Sequence, residues 1–175
     1  MRHAAPTLTL VSALLLLAAC SDTSGTTGHI ELQDNCDPAT FTAALGAGNC
    51  THASSGSGVT MASFTTELQA THKVAAWRMV PATMTVEEGT TLPVMNVGGE
   101  THSYTEVEEF GGGRVPELNQ ASGNTTVAPE CLNQATFEAS VVPSGQTKQH
   151  TFDESGTEKY QCCVHPWMRQ TVTVR

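Results

Sequence analysis

The chain has 175 residues, with 8 Lys and Arg against 17 Asp and Glu, and a formal net charge of −9. A surface this acidic argues against a nucleic-acid-binding protein, because phosphate backbones are bound by clustered basic residues. The length predicts about one domain once the N-terminal segment described next is set aside.

The first twenty residues have the pattern of an export signal. Arg2 and His3 precede an apolar run from Leu8 to Leu17, and Ala18-Ala19-Cys20 follows. This order of charge, apolar core and small residues predicts a cleaved signal over 1–20. The exit sequence resembles the bacterial lipobox, which implies that Cys20 is acylated and anchors the protein to a bacterial membrane, facing the periplasm or the cell surface. An ordinary secretory signal with a chance cysteine is the alternative.

Two segments of different composition follow the predicted signal. Residues 21–34 are predicted to be a flexible tether, since Ser21 to Gly28 contains no large apolar residue. Residues 35–72 are predicted to be a helical extension, with one short helix that starts at Asp37-Pro38 and a second across Met61 to Ala70.

Residues 73–175 read as short strands separated by turns. Pro143-Ser144-Gly145 and Glu154-Ser155-Gly156 are two of the turn signals. Residues 108–133, rich in Gly, Asn and Pro, are predicted to be an insertion with at most a short helix near Pro116 to Gln120. Seven or eight short strands predict a mainly β fold, a β-sandwich. The predicted strands are 74–80, 83–86, 91–97, 103–107, 136–142, 147–152, 157–162 and 170–174.

The segment between the last two predicted strands carries metal-binding side chains. Cys162, His165 and Met168 place a thiolate, an imidazole and a thioether within seven residues. These are ligand types of a blue-copper centre, which also needs a second histidine. His102, just before a predicted strand, supplies it. Taken singly, His102 is an ordinary loop histidine, Cys162 a half-cystine or buried thiol, and Met168 a core residue; their joint spacing favours copper.

The Cys-x-x-His-x-x-Met spacing, with Pro166 after the histidine, resembles the C-terminal ligand loop of cupredoxins, in the short form found in amicyanin. The resemblance covers residues 73–175 and implies a Greek-key β-sandwich that binds one copper ion per chain. Ser103, where the family commonly has Asn, and Cys163, an unusual second thiol, depart from the pattern and leave the surroundings of the ligands open. The resemblance implies the ligand set His102, Cys162, His165 and Met168.

A cupredoxin is implied to be a monomeric electron carrier, not an enzyme, that exchanges single electrons with redox partner proteins of the envelope. In this family the C-terminal histidine reaches the surface, which makes His165, with Trp167 beside it, the implied electron port; Trp167 as core packing is the alternative. An envelope copper-binding or copper-delivery protein could use the same ligands, and so remains a rival function. A metal-free interaction module is a third.

The six cysteines can be divided by role. If lipid takes Cys20 and copper takes Cys162, four remain in a compartment that permits disulfides. Cys36 and Cys50, fourteen residues apart, form the first predicted pair, and Cys131 with Cys163 the second. Two buried free thiols are the alternative to the second bridge.

Overall fold

A computed structural model describes Met1 and residues 28–175. The predicted signal, Cys20 and the first part of the tether lie outside the described residues. Within residues 28–175 there are ten strands and five helices. None of these helices combines the length and apolar content needed to cross a membrane. The strands are β1 (Ile30–Gln33), β2 (Arg78–Val80), β3 (Thr83–Val86), β4 (Thr90–Asn96), β5 (His102–Ser103), β6 (Thr105–Val107), β7 (Val141–Val142), β8 (Thr147–Phe152), β9 (Gly156–Gln161) and β10 (Arg169–Val174).

The strands form two four-stranded sheets and one small pair. The first sheet has the order β2-β1-β4-β8 and the second the order β3-β10-β9-β6, while β5 pairs with β7. Strand β10 shows why these segments become strands: Gln170, Val172 and Val174 alternate inward while their neighbours are more exposed. Buried residues of both sheets join one core. The predicted mainly β sandwich is confirmed, with ten strands rather than seven or eight.

The helices are two in the extension and three between β6 and β7. Helix α1 begins after Asp37, whose Oδ1 accepts a hydrogen bond of 2.8 Å from the Thr40 backbone N–H. Helix α2 is capped in the same way by Thr60. Their bounds are α1 (Pro38–Leu45), α2 (Met61–Thr71), α3 (Pro116–Ala121), α4 (Pro129–Leu132) and α5 (Gln134–Ser140).

The extension shares the core of the sandwich. Phe41 of α1 and Phe64 of α2 are buried and lie 5.7 Å apart between ring centroids. Phe64 also contacts Trp77, at 4.8 Å, and Trp77 is 1% exposed. Full burial of an aromatic or branched side chain contributes about 1.5–3 kcal/mol. These contacts therefore stabilise the extension against the sandwich.

The tether prediction for residues 21–34 is wrong in its C-terminal part. Ile30 and Leu32 are fully buried, and β1 lies between β2 and β4, antiparallel to the first and parallel to the second. Residue 29 is thus the last that the tether can include, and the sandwich begins well before residue 73. Two alternating apolar residues are too short a pattern to indicate a strand from sequence.

Two predicted strands are also shorter than expected. Residues 134–140 form α5, because the Asn133 side chain accepts a hydrogen bond of 3.1 Å from the Thr136 backbone N–H and starts a helix, so only β7 remains extended. The strand predicted over 74–80 begins at Arg78, since the Trp77 N–H bonds back to the Val74 carbonyl in a turn.

Two disulfide bonds brace the chain around its ligand loops. Cys36 is bonded to Cys50 in the extension, and Cys131 of α4 is bonded to Cys163. Among the described residues, Cys162 is the free cysteine, and it is buried. The second bond ties the insertion to the residue that directly follows Cys162.

Candidate metal centre

The C-terminal ligand loop joins β9 to β10. Cys162 follows the end of β9, and its backbone N–H donates to the Met168 carbonyl at 3.0 Å. The Met168 N–H donates to the His165 carbonyl at 2.9 Å. Both hydrogen bonds join residues of the loop to one another, so they hold Cys162, His165 and Met168 in one turn.

The structure brings three of the four predicted ligands together through their donor atoms. Cys162 Sγ lies 3.8 Å from His102 Nδ1 and 3.9 Å from His165 Nδ1. The ligand atoms of these three residues are all within 4.8 Å of one another, and each residue is buried. In the part of the chain that the structure describes, no other group of His, Cys, Asp or Glu side chains has this arrangement.

Met168 lies at the end of the same loop. It is fully buried, and its backbone is held by the two hydrogen bonds described above. Met168 is therefore buried in the same loop as Cys162 and His165. Its role as the fourth ligand stays a proposal.

The surroundings of Cys162 favour its thiolate. The Ser103 backbone N–H donates to Cys162 Sγ at 3.5 Å. Burial alone would raise the pKa of the thiol, but the hydrogen bonds to His102 and His165 and their charges hold it well below its usual value. A thiolate is the form that binds a metal.

Ser103 also ties the two ligand segments together. Its Oγ accepts a hydrogen bond of 2.8 Å from the Cys163 backbone N–H and contacts Thr105 Oγ1 at 2.9 Å. The serine therefore links the strand that begins with His102 to the loop that begins with Cys162. Ser103 departs from the family pattern but still connects the two ligand segments directly.

Asp34, which follows β1, holds the other side of the His102 ring. Its Oδ2 is 2.8 Å from His102 Nε2, and both side chains are fully buried. An Nε2–H that donates to this carboxylate makes Nδ1 the ring nitrogen that can bind a metal once it has lost its proton. Burial opposes ionisation of Asp34, but its hydrogen bond with His102 and the charge of that ring outweigh it and hold its pKa at about 2. Burial also acts to lower the pKa of His102, whereas its bonds to Asp34 and Cys162 raise it to about 10.

The glycines before His102 allow Asp34 to come this close. A Cβ on Gly98 would lie 2.0 Å from Asp34 Oδ2, and one on Gly99 would lie 2.0 Å from the His52 carbonyl oxygen. A side chain at Gly98 would displace Asp34, and a side chain at Gly99 would displace the extension from the segment before His102. Gly98 and Gly99 are therefore needed for close backbone packing.

Glu100 lies behind His165. Its Oε2 is 3.5 Å from His165 Nε2 and accepts a hydrogen bond of 2.6 Å from Trp77 Nε1. Burial raises the pKa of Glu100, while the charge of His165 and the bond from Trp77 act against the shift. Sequence reasoning missed both carboxylates. Asp34 fell in the presumed tether, and Glu100 had no spacing that related it to His165.

The predicted exposure of His165 is wrong. His165 is 3% exposed, because the extension covers it. Its ring lies 6.4 Å from Phe64 of α2, 6.3 Å from Trp77 and 5.5 Å from Trp167. Trp167 is itself half-buried and packs against Phe64.

A groove between α2 and α3 leads to this histidine. It has a volume of about 630 Å³, and His165 and Val164 are among its lining residues, together with Phe64, Leu68 and Leu118. Most of the named side chains are apolar. The ligand imidazole therefore lines an opening between the extension and the insertion.

The family is decided by comparison with known proteins. Residues 66–175 match the sequence model of the copper-binding proteins of the plastocyanin/azurin family. The chain belongs to this family. Copper is accordingly its cofactor, and the His102, Cys162 and His165 donors fit that ion: one thiolate and two imidazoles, close enough together to bind a single ion.

Solved cupredoxin structures match part of the chain at low sequence identity. A novel purple cupredoxin from Nitrosopumilus maritimus is 22% identical, with a TM-score of 0.41, over 58% of this chain and 86% of the other. A reduced amicyanin mutant is 22% identical, with a TM-score of 0.37, over 59% and 78%. Oxidised plastocyanin from Dryopteris crassirhizoma is 18% identical, with a TM-score of 0.37, over 57% and 89%. No curated protein matches the chain.

Proposed function

We propose that this protein is a mononuclear blue-copper electron carrier of the bacterial cell envelope. The observation that carries the proposal is the buried cluster of His102, Cys162 and His165, whose donor atoms lie together and whose loops are braced by hydrogen bonds. Electron transfer is fast when the ligands move little between oxidation states. A cluster held by its surroundings meets that requirement.

Each side chain of the site has a distinct role. Copper, when bound, supplies a reversible one-electron change between Cu(II) and Cu(I). Cys162 would provide the thiolate donor, His102 and His165 would provide Nδ1 donors, and Met168 would provide a weak thioether donor that tunes the potential. No bond in a substrate is made or broken, so the protein acts as a carrier and not as an enzyme.

The envelope location rests on the N-terminal sequence and the disulfides. The export signal over 1–20 and acylation of Cys20 would leave nine residues, 21–29, between the lipid and β1. Nine residues span at most about 30 Å when extended. Two disulfide bonds suit an oxidising compartment. A monomer tethered at this distance exchanges electrons with redox partner proteins near the same membrane.

The electron port is proposed at His165, reached through the groove between α2 and α3. The partner approaches along this apolar opening rather than across an exposed imidazole, because the His165 ring is buried. The Trp167 ring packs against one side of the His165 ring, with 5.5 Å between the ring centroids.

Copper delivery is the rival function. Repeated reduction and reoxidation in the presence of a chelator distinguishes an electron carrier from a copper-delivery protein. We expect the copper-loaded protein to recover its full visible absorption after repeated reduction and reoxidation in the presence of a strong Cu(I) chelator, because the ligands hold copper in both states. His102→Ala, which removes one donor, serves as the comparison and should lose copper to the chelator. Loss of copper from the wild-type protein on first reduction would favour delivery.

Replacing Met168 by leucine should keep copper bound and raise the reduction potential. The thioether is a weak donor that favours Cu(II), and leucine fills similar volume without donating. The measurement is a redox titration followed by the visible band. An unchanged potential would mean that Met168 is not a copper ligand.

A further inference from the structure

Both ligand histidines have a carboxylate at the ring nitrogen that faces away from the thiolate. Asp34 Oδ2 lies 2.8 Å from Nε2 of His102, and Glu100 Oε2 lies 3.5 Å from Nε2 of His165. The corresponding Nδ1 atoms face Cys162. The two imidazoles are therefore placed in the same way, each between the thiolate and a carboxylate.

The two carboxylates are fixed by groups outside the metal cluster. Asp34 accepts backbone N–H bonds from Cys36 at 3.1 Å, and from Gly99 and Glu100 at 3.0 Å each. Glu100 accepts the indole N–H of Trp77 at 2.6 Å. Neither side chain can turn away from its histidine without losing these bonds. Asp34 thus orients the His102 ring through a hydrogen bond, and Glu100 is held by Trp77 within 3.5 Å of the His165 ring.

No lysine or arginine pairs with either carboxylate among the described residues. Within residues 28–175, the ion-pair contacts of Asp34 and Glu100 are with the two histidines and not with any lysine or arginine. Both carboxylates are buried, although Glu100 also lines the groove between α2 and α3. Buried charges interact more strongly than charges at the surface. Their field therefore acts chiefly on the imidazoles and on an ion bound between them.

We propose that Asp34 and Glu100 form a carboxylate pair that positions both copper-ligand imidazoles through Nε2 and lowers the reduction potential of the centre. The inference rests on the proposed electron-carrier function. A carboxylate that accepts the Nε2–H raises the basicity of a ligating imidazole, and nearby negative charge stabilises Cu(II) relative to Cu(I). Asp34 directly follows β1, so the first strand of the sandwich brings a carboxylate to the site.

The test with least disturbance is Glu100→Gln, which keeps the side-chain size and an oxygen for the Trp77 N–H. We expect the Cu(I)-to-Cu(II) ratio at a fixed applied potential above neutral pH to rise about tenfold, equal to about 59 mV for one electron. Glu88→Gln removes one exposed carboxylate far from the histidines in sequence and is the matched control. It should leave the ratio nearly unchanged, because solvent screens exposed charge.

Asp34→Asn provides the second arm. Its amide nitrogen would face backbone donors or the His102 N–H, so we expect about 10–100-fold weaker copper binding in addition to a raised potential. A potential in Glu100→Gln that shifts no more than in Glu88→Gln, with the fold retained, would overturn the carboxylate pair and leave electron transfer standing. A wild-type protein without a reversible copper couple would instead overturn the proposed function.

A measurement on the wild-type protein keeps the proposal testable if either variant fails to fold. In the diamagnetic Cu(I) form, nitrogen-edited NMR should detect slowly exchanging Nε2 protons on both His102 and His165, because each is shielded and faces a carboxylate. Absence of either Nε2 proton, or its rapid exchange with water, would contradict the proposed contacts.

Discussion

Replacing Cys162 by serine is expected to abolish the intense visible absorption of the copper(II) protein. The absorption of a blue-copper centre comes from charge transfer between the thiolate and Cu(II), and a serine hydroxyl supplies no such donor. The visible spectrum of the copper-loaded variant is the measurement. Complete loss of the band is expected, because Cys162 is the free cysteine among the described residues.

His29→Gln is a suitable control for this experiment. His29 contacts Glu31 at the start of β1 and is absent from the ligand cluster, so the control should retain the full band. A blue colour that survives Cys162→Ser would reject the assignment of the ligand thiolate. A colourless copper complex of the wild-type protein would reject the blue-copper assignment as a whole.

The double variant Cys131→Ala/Cys163→Ala is expected to lose about 3–4 kcal/mol of unfolding free energy. The bond links residues 32 positions apart, and its removal releases the corresponding loop entropy in the unfolded chain. Denaturant unfolding without reductant measures the loss. The double variant Cys36→Ala/Cys50→Ala, which opens a loop of 14 residues, should lose slightly less, about 3 kcal/mol.

The two disulfides should differ in their effect on copper. Cys163 adjoins Cys162, and its carbonyl accepts the Arg114 N–H at 2.6 Å, so its bridge helps to position the ligand loop against the insertion. We expect Cys131→Ala/Cys163→Ala to alter the visible band more than Cys36→Ala/Cys50→Ala does. A non-reducing peptide map should recover Cys131 linked to Cys163. Recovery of both as alkylated thiols after denaturation would rule out the bridge and the stability prediction.

The sequence by itself was sufficient for the fold class and for the part of the site that is local in the chain. Cys162, His165 and Met168 lie within seven residues, so their common loop follows from covalent connection. The β-sandwich could also be predicted, because alternating burial in strands such as β10 gives the sequence an alternation of side-chain character with a period of two residues. His102 could be chosen only through the chemistry of the missing ligand and the family resemblance.

The surroundings of the ligands were decided by tertiary structure. Asp34 meets His102 across 68 positions of the chain, and no sequence period connects residues so distant. The strand that precedes it, β1, contributes two inward apolar residues, too few to distinguish a strand from a tether. Helix α2 was predicted across Met61 to Ala70, but local sequence does not show what its buried Phe64 packs against. Packing of Phe64 over His165 makes a histidine expected at the surface 3% exposed. Local spacing thus determines which atoms can bind copper, whereas long-range packing determines how they are oriented, charged and reached.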